Sequence, residues 1–350
     1  MPLFNRYHLA LEIYNQEGKT LNESKIENLE NCYQDFKFSA FLHGVIKDYA
    51  VDPEIIFEPI WIKEGRSPYC RGFRLNMKNK RLRYKKSYTK NVFRYDAYRI
   101  MGTMLQKQIF EAGTELFYRL IAFSNNKDSS KTTENGKDFE VTTINNSIPI
   151  KILGIGQLEE STSVHITKEE DTEDFPVWIA EHVVEEMIEY VLQNKEKERA
   201  GFLIGHICRD PLTQQIFLMC HAQVAADAED SSIYPDKGNS SIHHFQFLPE
   251  NFFQVQRLIE LRKNNEIVLG WYHSHPWPFA CEKREKCTCT SIFFSISDVD
   301  VMQSAFGAPY QIAIVIGRAS LENLQATPQM YGWKNGVIAK RNFYQFDANK

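Results

Sequence analysis

The chain has 350 residues, 43% hydrophobic and 13% aromatic, more than one buried core normally holds, since single cores stop growing at about 250–300 residues. Its formal net charge of −4 is only mildly acidic, so bulk charge selects no class of partner. Seven cysteines, odd in number and mostly scattered, argue against a disulfide framework, and no apolar run approaches the roughly 18 residues of a membrane span.

The segment from Met1 to His8 has no charged stretch leading into an apolar core, so the expected setting is reducing and cytoplasmic, with no membrane. Residues 1–123 read as an α+β domain that resembles no family. Phe73 to Lys85 reads as a hairpin, because Phe73, Leu75 and Met77 alternate with Arg74, Asn76 and Lys78 before Leu82 and Tyr84 take up the same pattern. Its basic character continues through Lys86, Lys90, Arg94 and Arg99, interleaved with Tyr88, Phe93 and Tyr95. That face is either a solvated strand surface or a surface for nucleic acid or an acidic protein. A helix over 98–123 closes the domain, which is assigned recognition of a substrate or partner. Residues 124–147 are polar, almost free of large apolar side chains, and read as a linker.

Residues 148–350 form the second expected domain. A short strand over 148–155 and an acidic stretch over 168–174 precede an amphipathic helix after Pro176, in which Ile179, Val183, Met187, Ile188 and Val191 recur at helical spacing. Apolar segments over 202–207 and 215–224 follow. A polar loop over 227–241 leads to a helix over 249–263, and then to a strand over 267–275. A helix begins near Asp298 with Ser295 or Ser297 as cap. A buried strand over 311–317 and a final pair of short strands over 333–346 end the chain. The alternation predicts an α/β or α+β fold.

The chemistry concentrates on the strand over 267–275. Period-two alternation places Ile267, Leu269, Trp271, His273 and His275 on one face, and Pro276 stops the strand. His273 and His275 so placed can grip one ion, with Asp298 as third ligand and a fourth position open, the donor set of a catalytic zinc. Glu198, just before a Gly-rich apolar segment, is the candidate general base, and Ser295 the candidate donor to a developing oxyanion. Ser297 and Asp300 repeat the Ser-x-x-Asp spacing and make Asp300 the alternative ligand. Cys281, Cys287 and Cys289 are either an idle exposed insertion or part of a second, structural zinc site, with His243, His244, His206 and Cys208 as candidates for its fourth ligand.

In this order Glu198 before Gly201-Phe202-Leu203-Ile204-Gly205, then His273-Ser274-His275-Pro276, then Ser295-Ile296-Ser297-Asp298, the chain resembles the JAMM/MPN+ metalloproteases over 175–346. The resemblance implies a curved mixed sheet with flanking helices. It also implies zinc-dependent hydrolysis of peptide or isopeptide bonds at the C-terminus of ubiquitin or ubiquitin-like proteins. Its ligands would be His273, His275 and Asp298, its base Glu198 and its oxyanion serine Ser295. The partners it implies are a ubiquitin-like protein or its conjugate, with relatives of activating or conjugating enzymes. The spacer over 277–294 is longer than the family's. The competing readings are a non-catalytic scaffold of the same fold and a nucleic-acid or protein binder acting through the basic hairpin.

Overall fold

The computed structural model describes residues 7–50, 53–62, 68–78, 83–124, 148–165, 174–193, 198–226, 247–275, 292–318 and 326–348. The chain divides into two units, Met1–Ser147 with Asn335–Val337, and Ile148–Lys334 with Ile338–Lys350. Both are mixed α+β.

In the first unit, β1 (Tyr7–Asn15) and β2 (Thr20–Lys25) are followed by α1 (Glu30–Leu42), β3 (Ile55–Trp61), β4 (Tyr69–Lys78), β5 (Arg83–Thr89), α2 (Arg94–Gln106) and β6 (Leu116–Ser124). The strands form one sheet in the order β2-β1-β6-β4-β3, with β5 also paired to β4. Alternation decides which face is buried. Leu9, Leu11, Ile13, Phe73, Leu75, Met77, Leu120 and Ala122 share a core with Cys32, Phe36 and Ala40 of α1 and Ala97 and Met104 of α2.

β4 and β5 pair antiparallel with Met77 opposite Tyr84, as the hairpin reading expects. The basic face, however, loses a member. Lys86 shares the strand face of Tyr84 and Tyr88 and so turns toward the core, where its Nζ lies 2.7 Å from Asp35 Oδ2. The same carboxylate accepts from the Tyr88 hydroxyl at 2.6 Å. Lys90 Nζ donates to the Tyr118 carbonyl at 3.1 Å, and Arg94 Nη2 to the Tyr95 hydroxyl at 3.0 Å.

The helix expected over 98–123 is half helix and half strand. α2 ends at Gln106, Gln108 and Gly113 take positive φ, and β6 follows. Helical spacing across this stretch is coincidental with the alternation of Leu116, Tyr118, Leu120 and Ala122, whose pairing with β1 fixes the strand.

The second unit contains β7 (Ile150–Ile152), α3 (Ile155–Glu160), β8 (Thr162–His165), β9 (Val177–Ala180), α4 (Glu181–Leu192), β10 (Ala200–Arg209), β11 (Ile216–Ala226), α5 (Pro249–Arg262), β12 (Ile267–Ser274), α6 (Ile296–Ala305), β13 (Ile312–Arg318), β14 (Ala326–Lys334), β15 (Val337–Arg341) and β16 (Tyr344–Phe346). Its sheet runs β15-β14-β13-β12-β10-β11-β9-β16-β8, with β7 also on β10. The pairs β12–β13, β9–β11, β9–β16 and β7–β10 are parallel, whereas β10–β11, β10–β12, β13–β14 and β8–β16 are antiparallel. This is the curled mixed sheet that the resemblance implies.

Two departures have clear causes. Ile179 belongs to β9, not to the helix after it, because residues 177–179 pair with β11, and α4 begins at Glu181. On β12, Gly270 faces Leu203 and Val268 faces Ile204, so Leu269 is an extra residue and a bulge resets the alternation. The shared face therefore runs from Trp271 to His275 and not from Ile267.

Close approach explains two glycines. A Cβ on Gly270, where φ is +155°, would sit 1.8 Å from the Ile312 carbonyl oxygen of the parallel neighbour β13. A Cβ on Gly201 would meet the Tyr272 ring at 2.5 Å. Both glycines lie within the β10–β12–β13 centre that carries the histidines. Beneath it, the Trp271 ring stacks on Phe306 at 5.9 Å, and its indole N–H donates to Met302 Sδ at 3.2 Å.

Candidate metal centre

β12 delivers the two histidines and α6 delivers the acid. His273 is 1% exposed and His275 6%, at the end of the strand, where Ala200 of β10 stands opposite His273. Ser295 has extended backbone and caps α6. Its hydroxyl accepts from the Asp298 amide at 3.1 Å, while the Ser295 amide donates to Asp298 Oδ2 at 2.6 Å. This reciprocal box fixes the first turn and turns the carboxylate toward the strand. It also decides between the two Ser-x-x-Asp registers. Asp298 is buried at the imidazoles, whereas Asp300 is exposed.

Three donor groups converge. His273 Nε2 lies 3.1 Å from His275 Nε2 and 3.2 Å from Asp298 Oδ1, and His275 Nε2 lies 3.5 Å from Asp298 Oδ2. Four ligands about 2.0–2.1 Å from a tetrahedral ion stand roughly 3.3 Å apart, so these separations are those of a coordination edge. Among the described residues, this trio is the one group of three or more such side chains gathered closely enough to hold a metal.

The protonation states agree. Burial pushes His273 below the ordinary histidine value, opposed by the nearby Asp298 charge. Burial works against the Asp298 carboxylate too, but pairing with His273 when that ring is protonated, and hydrogen bonds from His273, His275 and the Ser295 amide, hold it well below the usual carboxylate range. Neutral imidazole and ionised carboxylate are the ligand forms a cation needs. Without an ion, two imidazole Nε2 atoms that both donate to Asp298 would face each other as like donors at 3.1 Å. A cation in their place removes that conflict, and the residues therefore fit a zinc ion.

Aromatic rings wall the imidazoles. Trp271 stacks on His273 at 4.4 Å with planes 13° apart, and Phe293 packs on His275 at 4.3 Å. Phe293 and Ile296 are each 48% exposed.

Glu198 precedes β10. The β10–β12 register continues beyond Ala200 through the Ser274 amide, which donates to the Arg199 carbonyl at 2.8 Å. Extended one step beyond that rung, the same register would place Glu198 opposite His275, on the strand face that carries the imidazoles. Cys281, Cys287 and Cys289 lie outside the described residues, as do His243, His244 and the linker over 125–147. Cys208 is buried in β10, and burial pushes its thiol up to about 12.

One network was not foreseen. Toward the other end of β10, His206 Nε2 donates to the Asn264 carbonyl at 2.8 Å. In a neutral ring this leaves His206 Nδ1 as acceptor, so His221 Nε2 donates to it at 3.0 Å. Glu266 Oε1 lies 3.4 Å from His221 Nε2, and both Glu266 oxygens accept from Arg262, at 2.7 and 3.0 Å. The members are scattered over β10, β11, the end of α5 and the turn after it, and nothing in their spacing signals the contact.

Residues 180–280 match the family model described as prokaryotic homologs of the JAB domain. Among solved structures, the solution structure of a protein from Desulfitobacterium hafniense aligns at 20% identity and a TM-score of 0.30, covering 49% of this chain and 93% of that one. No curated protein matches the chain. The C-terminal region is JAMM/MPN-like, a type that includes metallohydrolases and non-catalytic scaffolds. Among the described residues no helix is long and apolar enough to cross a membrane.

Proposed function

We propose, from a C-terminal region of JAMM/MPN type, that this protein is a zinc-dependent hydrolase that cleaves a peptide or isopeptide bond at the C-terminus of a ubiquitin-like protein, in a reducing compartment such as the cytoplasm. The observation that carries the reading is the convergence of His273 Nε2, His275 Nε2 and the Asp298 carboxylate at 3.1–3.5 Å. A non-catalytic scaffold of this fold does not require this donor set.

His273, His275 and Asp298 would hold the ion, which when bound supplies Lewis acidity, polarising a carbonyl and acidifying water near neutral pH. Glu198, opposite His275, takes the proton of the attacking water and returns it to the leaving amine. The Ser295 hydroxyl accepts from the Asp298 amide through its oxygen, which leaves its own hydrogen free to donate to the oxyanion. Phe293 and Ile296 give the site an apolar lip against which an extended substrate tail can lie.

Elemental analysis and a cleavage assay test this together. Purified protein should carry about one zinc per chain at this centre and cleave a fluorogenic conjugate of a ubiquitin-like tail. Failure to bind zinc after it is added back would remove the hydrolase reading and favour a scaffold.

A further inference from the structure

The residue between the two histidines closes the sheet in an unusual way. In a regular antiparallel ladder a hydrogen-bonded pair exchanges two backbone bonds. At Arg199 and Ser274 one of these is present, from the Ser274 amide to the Arg199 carbonyl at 2.8 Å. In the other, the Arg199 amide donates to the Ser274 hydroxyl oxygen at 3.1 Å. A side chain thus stands in for a main-chain carbonyl at the last rung before Glu198. Ser274 is 4% exposed, so water is a poor substitute for its hydroxyl.

The Arg199 side chain is tied as well. Its Nη1 donates to the Tyr190 carbonyl at 3.2 Å and to Gln193 Oε1 at 2.9 Å, and its guanidinium lies 4.4 Å above the Tyr190 ring. Arg199 is therefore held by β12 on its backbone and by the end of α4 on its side chain. Glu198 is its immediate neighbour, and the strand direction at Arg199 sets where the Glu198 carboxylate stands.

We propose that the Ser274 hydroxyl is a positioning group for Glu198: it fixes the Arg199 amide and so keeps the carboxylate opposite His275. Ser274 touches no reacting atom in this role. The proposal rests on the hydrolase reading for its catalytic consequence, but the positioning itself is separable from it.

The test uses the full chain and the variants Ser274→Ala and Ser274→Thr, metal-free and zinc-loaded. Three quantities are read: amide hydrogen exchange at Arg199, nuclear Overhauser contacts between the Glu198 and His275 side chains, and turnover of the fluorogenic tail. In Ser274→Ala the Arg199 amide should exchange at least about tenfold faster, as expected when a buried donor loses its acceptor. The Glu198–His275 contacts should weaken, zinc content should stay at the wild-type value, and kcat should fall about 10–100-fold with KM unchanged. Ser274→Thr, which keeps the hydroxyl, should restore all of these. Unchanged Arg199 exchange, or unchanged Glu198–His275 contacts in Ser274→Ala, would overturn the proposal. So would unchanged kcat in an active enzyme. A wild type that turns over no tail, with the exchange and Overhauser changes as expected, would sink the hydrolase reading and uphold the positioning.

Discussion

The Ser295 amide donates to Asp298 Oδ2 at 2.6 Å, and the Asp298 amide donates back to the Ser295 hydroxyl at 3.1 Å. One exchange of hydrogen bonds thereby starts a helix and aims a carboxylate at two imidazoles. Ser295→Ala should cost about 1 kcal/mol of stability as a lost cap. If the hydroxyl also donates to the oxyanion, kcat should fall about 10²–10³-fold with zinc content unchanged. Thermal unfolding and turnover, measured on one preparation, separate the two effects.

Asp298→Asn keeps the shape of the box but removes the anionic ligand. Bound zinc should fall from about one per chain toward none, because a site of two neutral imidazoles and an amide lacks the charge that holds a dication. Asp300→Asn, altering the exposed acid of the alternative register, should leave zinc content unchanged. Elemental analysis of the pair distinguishes them, and zinc loss in Asp300→Asn alone would reverse the assignment.

Glu198→Gln should retain zinc and lose about 10²–10⁴-fold in kcat, the range typical of a positioned general base. The informative comparison is zinc content against turnover. A variant that cleaves at the wild-type rate would exclude Glu198 from proton transfer.

Gly270→Ala would drive a methyl group into the Ile312 carbonyl, 1.8 Å from the ideal Cβ position. The β12–β13 pair must then separate or the bulge must flatten. The expected loss is about 3 kcal/mol, or roughly 6–12 °C in Tm for a unit of this size. Calorimetry checks it.

The histidine network predicts a pH dependence that does not involve the metal centre. Burial, followed by the neighbouring His206, pushes His221 down to about 4, while Glu266 opposes the shift and Arg262 and Lys151 add to it. His206 is also lowered, mainly by burial. A lowered folded-state pKa means that the unfolded chain takes the proton first. The stabilisation is therefore complete above the unfolded histidine value of about 6.5 and drains away as pH falls toward 4. With partial solvent screening the loss should be about 2 kcal/mol. Denaturant unfolding of wild type and His221→Asn between pH 7 and pH 4 should show a shallower slope in the variant. Equal slopes would remove His221 as the cause.

The gathering of the three donor side chains was legible because each member sits beside the apolar pattern that positions it: His273 and His275 one pleat apart, Asp298 three residues after a capping serine. The central elements of the second unit were legible for the same reason. Other features depend on partners distant in sequence. Ile179 has helical spacing with Val183 and Met187, and only pairing with β11 makes it a strand residue. Lys86 reads as exposed until Asp35 of α1 supplies its counter-charge. The extra residue at Leu269 leaves no trace in an apolar run, since Val268, Leu269 and Trp271 are acceptable on either face. His206, His221 and Glu266 are joined by strand register, which a linear reading does not supply.

The stack of Trp271 on His273, 4.4 Å between centroids and nearly parallel, makes the centre an optical reporter. An indole held this close to an imidazole changes its emission when that imidazole passes from neutral ring to cation or metal ligand. The difference in fluorescence between the wild type and Trp271→Phe should follow zinc occupancy directly, so loading can be titrated by light before any substrate is in hand.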